Sequence, residues 1–314
     1  MENGIIKRQN SNENIQKLAS QRQIYSKAKK VLGVQIITQV IIVIILSLLR
    51  FIFNDSFLNA YSIKKENFNL FIIICSVTLV LLDVIFINPQ IKKLKSLAAS
   101  IQEDFDCTVL LLPWNDVKVD KPDIEIISKY AREYYKNNKT QELINWYTPK
   151  EIETLPINVA RIICQRTNCL WDNYLRKKYN QHIIICTILI FLILLFIGLI
   201  SDLTLSIFIT NVFFPFFPVL IFSIRQVQDN NNSIKLLKTL KNKANKYWER
   251  VLSNECTSLN DLSRKLQNEI FDSRKNSPLI FDWYYRKYKS SQQIDTDYSG
   301  EQMVTSYKSR LHED

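Results

Sequence analysis

The sequence predicts a mainly α-helical, polytopic membrane protein with four transmembrane helices and a largely helical cytoplasmic insert that contains a short strand. Residues 31–49, 183–201 and 203–224 carry no charged side chain, and 67–88 carry only Asp83. Each stretch is long enough to cross a hydrocarbon core of about 30 Å as a helix. The basic residues cluster at the same ends of these stretches, which is the second observation behind this fold class.

The positions of lysine and arginine predict the topology. The segment before span one is strongly basic, whereas the loop 54–67 is balanced in charge and the turn between spans three and four has no basic residue. Basic flanks resist translocation, so both termini and the middle of the chain are expected on the cytoplasmic side. The membrane is expected to be a bacterial inner membrane. We expect the first apolar run to be retained as a span, because it is longer than a signal-peptide core.

The predicted organisation has six parts along the chain. They are a cytoplasmic arm (1–31), a transmembrane hairpin (32–88), a cytoplasmic insert (89–181), a second hairpin (182–224), a helical tail (225–289) and a disordered end (290–314).

Local patterns predict the elements of the cytoplasmic parts. In the insert, a helix over 91–105 precedes a leucine-rich, β-branched run at 107–114, which is typical of a short buried strand closed by proline. Further helices are expected over 123–137 and from Pro156 into span three. In the tail, an apolar stripe from Ile234 to Val251 predicts an amphipathic helix that coils against a neighbour and helps to assemble several chains.

Composition excludes several classes of site. Four glycines are too few for a Gly-rich phosphate loop, and the two histidines are far apart in the sequence. The six cysteines lack metal-ligand spacing, so we expect buried free thiols, no metal and no cofactor. The net charge of +11 fits basic membrane flanks and anionic headgroups better than a DNA or RNA polymer. Asp104 and Asp106 form a lone DxD, which we interpret as a solvated helix end.

Polar residues inside the spans are the candidates for a pore or gate. Gln35, Gln39 and Arg50 share one face of span one, and Asn69, Ser76 and Asp83 share one face of span two. Because these spans run antiparallel, Asp83 is expected beside Gln35 and Gln39. The alternative is a helix pair joined by interhelical hydrogen bonds, with Arg50 reaching outward.

Two prolines in span four predict a break in that helix. Pro215 and Pro218 each remove a backbone donor, and broken helices line many membrane gates.

Four residues at five-residue intervals before span three are the candidates for a phosphate-containing ligand: Arg161, Arg166, Trp171 and Arg176. Arginine suits bidentate phosphate contacts, and tryptophan suits stacking on a base. Spacing of five moves around a helix, however, so these residues do not all face one ligand. The alternative is a basic flank that packs inside the protein.

Motifs throughout the chain resemble a bacterial family, the SMODS-associating four-transmembrane effectors. The motifs are RQN (8–10), LASQRQIYSKA (18–28), FDCTVLLLPWN (105–115), WY (146–147), LP (155–156), ARIICQRTN (160–168), WD (171–172), LQNEIF (266–271), Arg274, Pro278 and DWY (282–284). The resemblance implies a pore-forming effector of a CBASS-type anti-phage system, which a cyclic or linear oligonucleotide messenger activates. The effector then disrupts the inner membrane and arrests growth, which is abortive infection.

The leading hypothesis is therefore a non-enzymatic membrane effector whose pore needs a homo-oligomer, since four helices leave little room for a channel. A membrane-anchored receptor or scaffold that recruits a cytosolic partner is the main alternative. A tethered enzyme that uses Asp104 and Asp106 is a third.

Overall fold

The computed structural model describes residues 2–53, 55–200, 204–209, 213–253 and 258–311. In these residues the regular elements are helical. The α-helices are α1 (Ile5–Gln9), α2 (Asn12–Ile36), α3 (Ile42–Ile52), α4 (Asp55–Ala60), α5 (Lys65–Leu82), α6 (Asn88–Leu110), α7 (Ile124–Tyr135), α8 (Ile157–Ile200), α9 (Leu205–Phe208), α10 (Phe214–Leu252), α11 (Leu259–Asn276) and α12 (Asp282–Leu311). Two π-helical turns, Ile37–Ile41 and Asp83–Ile87, continue α2 into α3 and α5 into α6. Two 3₁₀ turns, Thr140–Leu143 and Lys150–Thr154, lie between α7 and α8.

Within the described residues, three helical stretches are long and apolar enough to cross a membrane. They are Asn12–Leu46, Leu70–Leu110 and Ile157–Ile200, and they cover most of the first three predicted spans. The fourth predicted span, 203–224, includes positions outside the described residues and stays a prediction.

The chain folds into two compact units. The large unit comprises Met1–Ala28, Lys92–Lys177 and Asn231–Asp314. The membrane unit comprises Lys29–Ile91 and Lys178–Asn230.

The core of the large unit is assembled from distant parts of the chain. Ile5 and Leu18 of the N-terminal arm are fully buried with Phe105 of α6 and Tyr147 of the loop before α8. The rings of Phe105 and Tyr147 stack with their centroids 6.1 Å apart. The arm is therefore an integral layer of this unit.

The predicted strand at 107–114 is wrong, because α6 continues as a helix to Leu110. Ile101, Phe105, Val109 and Leu110 are all fully buried, so protein surrounds this end of the helix on most sides. A short apolar run without polar gaps has the same pattern in a buried strand and in a buried helix. The helix ends at Leu110, and the next residue, Leu111, has a φ of 52° in the left-handed region.

The predicted disorder beyond residue 290 is also wrong, since α12 runs to Leu311. Met303 and Val304 are buried in the core beside Trp248 of α10. Gly300 of α12 allows the loop before α8 to approach closely, because a Cβ at Gly300 would lie 2.5 Å from Cδ of Pro149 in that loop. Met303, Val304 and Gly300 thus hold the segment after residue 290 against the core, although its polar composition is typical of a disordered segment.

The apolar stripe of the tail packs within the chain. Leu240 and Ala244 of α10 are fully buried against Cys169 of α8 and against Leu266 and Ile270 of α11. This stripe therefore has its neighbour inside one copy, and it is not free to assemble several chains.

The membrane unit has its own apolar core. Val43, Leu194, Phe216 and Val219 are buried together, and the rings of Phe191 and Phe216 lie 5.5 Å apart. Pro218 lies inside α10, and Pro215 is the second residue of that helix.

Candidate functional site

Arg161, the first of the predicted ligand-binding residues, caps the end of α6. Its side chain is almost fully buried. Nε donates to the carbonyl of Leu110 at 2.5 Å and Nη2 to that of Leu111 at 2.6 Å, while Nη1 donates to Oδ1 of Asn260 at 2.5 Å. The last carbonyls of a helix lack partners, and a guanidinium near them satisfies these acceptors.

Arg166 and Arg176 also bond to other parts of the large unit. Arg166 donates to Asn245 of α10 and Ser299 of α12, both at 2.7 Å. Arg176 donates to the carbonyl of Pro278, between α11 and α12, at 2.9 Å. The three arginines thus contact different elements around α8, and the side chain of Trp171 lies outside the described residues. A ligand role for these four residues stays a prediction.

A buried cluster of charges in the large unit centres on Asp106, which is fully buried. Oδ1 of Asp106 accepts from the hydroxyl of Tyr147 at 2.6 Å. Oδ2 accepts from Nη1 of Arg274 at 2.5 Å and from Nε2 of Gln267 at 2.8 Å. The expectation of a solvated helix end at 104–106 is therefore wrong, because this carboxylate lies on the buried face of α6.

Glu103, one turn before Asp106, extends the same cluster. It accepts from Nη2 of Arg264 at 2.5 Å and from Nε2 of Gln267 at 2.8 Å. Gln267 donates to both carboxylates and joins α6 to α11. We name Glu103, Asp106, Tyr147, Arg264, Gln267 and Arg274 the carboxylate–arginine cluster. Sequence reasoning missed it, although Arg264, Gln267 and Arg274 share one face of a helix.

Burial and charge shift the pKa values in this cluster. Burial and the Asp106 carboxylate raise the pKa of the Tyr147 phenol well above its ordinary value. Burial has the largest single effect on the pKa of Arg274 and lowers it, but the charge of Asp106, the interaction with Tyr147, the hydrogen bond to Asp106 and the charge of Glu103 together outweigh burial, so the net pKa is raised. The cluster therefore holds a neutral phenol and a charged guanidinium against one carboxylate.

The two aspartates of the DxD motif bond to different partners. Asp104 pairs with Lys17 of α2 at 2.9 Å, while Asp106 is bonded as described. Within the part of the chain that the structure describes, no group of His, Cys, Asp and Glu is placed to hold a metal ion.

In the membrane unit, the structure brings together three of the predicted pore residues. Nε2 of Gln35 donates to Oδ1 of Asp83 at 2.6 Å, and Nε2 of Gln39 donates to the carbonyl of Leu79 at 2.8 Å. Gln35, Gln39 and Asp83 are each 5% exposed. Arg225 lies near them, with Nη1 3.9 Å from Oδ2 of Asp83. We name Gln35, Gln39, Asp83 and Arg225 the membrane polar cluster.

The π-helical turns that join α2 to α3 and α5 to α6 lie at this cluster. One contains Gln39 and the other begins at Asp83. A π-helical turn displaces the following side chains around the helix, and such turns are frequent at functional sites.

The other predicted pore residues lie apart from the membrane polar cluster or outside the described side chains. Ser76 donates to the carbonyl of Ile72 at 2.9 Å and lines, with Pro218, an apolar cavity of about 220 Å³. The side chains of Arg50, Asn69 and Pro215 lie outside the described residues.

Comparison with known proteins agrees with the resemblance of the motifs. Residues 3–303 match the SMODS-associating 4TM effector domain. The chain belongs to this effector family. It is also similar to a protein of Bacillus cereus (strain VD146) named as a probable CBASS effector molecule, with 27% identity over 289 residues, 90% of this chain and 92% of that protein. No solved structure matches the chain.

In this member of the effector family, the matched region includes both clusters. The motifs 105–115 and 266–271, with Arg274, supply three of the six residues of the carboxylate–arginine cluster, Asp106, Gln267 and Arg274. The motifs that resemble the family thus include residues that join α6 to α11.

Proposed function

We propose that this protein is a CBASS effector of the bacterial inner membrane, which a nucleotide messenger activates to open a path through the bilayer. Membership of the SMODS-associating 4TM effector family supports the effector role. The name of the Bacillus cereus relative supports the CBASS assignment. Both termini and the large unit are then cytoplasmic, where a messenger reaches them.

The membrane polar cluster is the observation that carries the proposal of a path. A charged side chain costs about 2.5–3.5 kcal/mol at the centre of a span on insertion scales, and charged residues within spans usually face protein or water. Asp83 lies inside the run 67–88, five residues from its end. Asp83 has one short hydrogen bond, from Gln35, and a guanidinium at 3.9 Å. Neutral pairs such as Thr187 with Ser223, 2.8 Å apart, join membrane helices without this cost. The Asp83 carboxylate can therefore accept hydrogen bonds from water or bind cations in the proposed path.

The two π-helical turns supply a way to move these side chains. Reverting a π turn to α-helical geometry rotates the side chains that follow it. Gln39 and Asp83 lie on such turns in two segments of the membrane unit. We propose that activation changes these turns and exposes the membrane polar cluster to a path between several copies of the chain.

The messenger acts by binding the active state more tightly than the resting one, since a ligand shifts an equilibrium only through differential affinity. Arg161, Arg166 and Arg176 already bond to other parts of the large unit. A phosphate that takes one of these guanidinium groups replaces an internal bond. Ligand binding there is therefore coupled to a rearrangement of α6, α10 and α12.

Dye leakage tests the proposal. The full chain is reconstituted into liposomes that contain a self-quenched dye, and cyclic and linear oligonucleotides are added singly. We expect one messenger to release the dye from liposomes with the wild-type protein, and Asp83→Asn and Gln39→Leu to slow the release. Thr187→Val, which removes a neutral pair in the same unit, is the matched control and leaks like the wild type.

Two results would contradict the proposal. Equal leakage from wild type, Asp83→Asn and Gln39→Leu would remove the membrane polar cluster from the path. No leakage with any oligonucleotide, while expressing cells still arrest with an intact membrane potential, would favour the receptor or scaffold.

A further inference from the structure

We infer that the beginning of α12 is a membrane-surface anchor that contacts anionic lipid headgroups. Trp283 is 61% exposed, and Arg286 and Lys287 are exposed as well. Residues three and four apart share one face of a helix, so these three side chains form one patch. We name Trp283, Arg286 and Lys287 the aromatic–basic patch.

The direction of α12 along α8 gives the position of the patch within the large unit. The rings of Tyr288 and Tyr174 lie 6.4 Å apart, and Ser299 accepts from Arg166 at 2.7 Å. Residue numbers therefore rise along α12 as they fall along α8, and the two helices are antiparallel. The first turn of α12 lies toward the end of the large unit from which α8 continues into its uncharged run.

Helix geometry converts this pairing into a distance. Tyr174 precedes the uncharged run, which begins at Ile183, by about 13.5 Å of helix at 1.5 Å per residue. Trp283 precedes Tyr288 by about 7.5 Å on the antiparallel helix. Trp283 thus lies about 7.5 Å from the level of Tyr174, toward Lys177, where the large unit ends on α8.

Two hydrogen bonds fix the segment before α12 at the same end of the large unit. Nζ of Lys95 donates to the carbonyl of Asn276 at 3.2 Å, and Nη1 of Arg176 donates to that of Pro278 at 2.9 Å. Lys95 lies seven residues after the end of the apolar run 67–88, and Arg176 lies seven residues before the start of the apolar run 183–201. Because so few residues separate them from these runs, we expect Lys95 and Arg176 to lie near the membrane surface.

The chemistry of the patch fits lipid headgroups. Tryptophan combines an apolar ring with a polar N–H and is enriched at membrane–water interfaces. Lysine and arginine near the surface attract anionic lipids. Tyr174, 49% exposed, and Lys177, exposed on α8, add the same two residue types beside the patch. A surface of tryptophan, tyrosine and basic side chains at this end of the large unit matches an anionic leaflet in charge and in polarity.

Quenching of tryptophan emission by lipid tests the depth. The full chain is reconstituted without nucleotide into vesicles of phosphatidylethanolamine and phosphatidylglycerol, in which part of the phospholipid is brominated near the carbonyl end of its acyl chains. We expect Trp283→Phe to lose much of the lipid-quenched emission. Trp248→Phe, which alters a buried ring that packs 6.3 Å from Tyr307 in the core, is the matched control and keeps it. Equal quenching in the wild type and Trp283→Phe would overturn the proposal.

Hydrogen exchange tests the charge. In phosphatidylglycerol vesicles we expect slower amide exchange over 284–288 than in phosphatidylcholine vesicles, and Lys287→Gln to reduce that difference. Lys308→Gln, at the other end of α12, is the control and leaves the difference unchanged. Protection that follows the protein-to-lipid ratio instead of the lipid charge would identify a contact between copies and contradict the proposal. Because neither measurement needs a messenger, both stand apart from any test of the pore.

Discussion

Asp106 of the large unit and Asp83 of the membrane unit are both buried carboxylates on helices, yet their surroundings differ. Asp106 accepts hydrogen bonds from Tyr147, Gln267 and Arg274, all within 2.8 Å. Asp83 accepts one from Gln35 at 2.6 Å and has Arg225 at 3.9 Å. Full hydrogen bonding makes Asp106 a joint between elements, whereas Asp83 retains acceptor capacity for water or an ion. Burial alone does not distinguish these roles, but the count of partners does.

The largest effect is expected from Arg274→Ala. This change leaves Asp106 buried without its counter-charge, and removal of one partner of a buried ion pair costs about 3–5 kcal/mol. Chemical unfolding in mild detergent measures the loss. Lys275→Ala, at the exposed neighbouring position, is the control and changes the unfolding free energy little. A loss below about 1 kcal/mol for Arg274→Ala would show that Asp106 is not a structural joint.

Tyr147→Phe is expected to cost about 1–3 kcal/mol, because Asp106 loses one donor. It also alters the response to alkali. The folded-state pKa of this phenol is raised, so its contribution to stability is present below the ordinary phenol pKa and decreases as the pH rises above it. Unfolding at pH 9 and pH 11 should therefore show a smaller alkaline loss in Tyr147→Phe than in the wild type. Identical losses in both proteins would contradict the assigned shift.

Asp83→Asn is expected to change the unfolding free energy by less than about 1 kcal/mol. The amide keeps an oxygen that accepts from Gln35, and Arg225 is too distant to contribute strongly. The measurement repeats the detergent unfolding beside Arg274→Ala. A loss as large as that of Arg274→Ala would mean that the two carboxylates serve the same structural purpose, and the comparison would fail.

The smallest effect is expected at Glu133, a carboxylate near the surface that bonds to Lys27 at 2.7 Å. The hydrogen bond from Lys27 lowers the pKa of Glu133. Its contribution is therefore present above the ordinary carboxyl pKa and lost as the pH falls through the lowered folded-state value. Glu133→Gln should remove about 0.5 kcal/mol at neutral pH and less at pH 3, since partly exposed pairs are screened. Glu125→Gln, on the exposed face of α7, is the control. A loss of 2 kcal/mol or more, ~four times that value, would contradict this.

Helix spacing was enough to predict that Gln35 and Asp83 meet. Both lie in apolar runs whose polar residues repeat on one face, and the antiparallel order of the spans gives their depths. The π-helical turns at Gln39 and Asp83 were not predicted, because an extra residue in a helical turn leaves no mark in composition. The partners of Asp106 were missed for another reason, since Gln267 and Arg274 lie more than 150 residues away in the sequence.

The sequence by itself determined the membrane character, the helical class and the family, because apolar runs, charge bias and local motifs are properties of neighbouring residues. Only the tertiary structure decided that Arg161 caps a helix, that α12 is ordered and that Asp106 is buried. Those outcomes depend on which distant groups meet. A carboxylate on a polar helix face costs nothing in water, and it becomes a buried charge only when another helix brings an arginine to it.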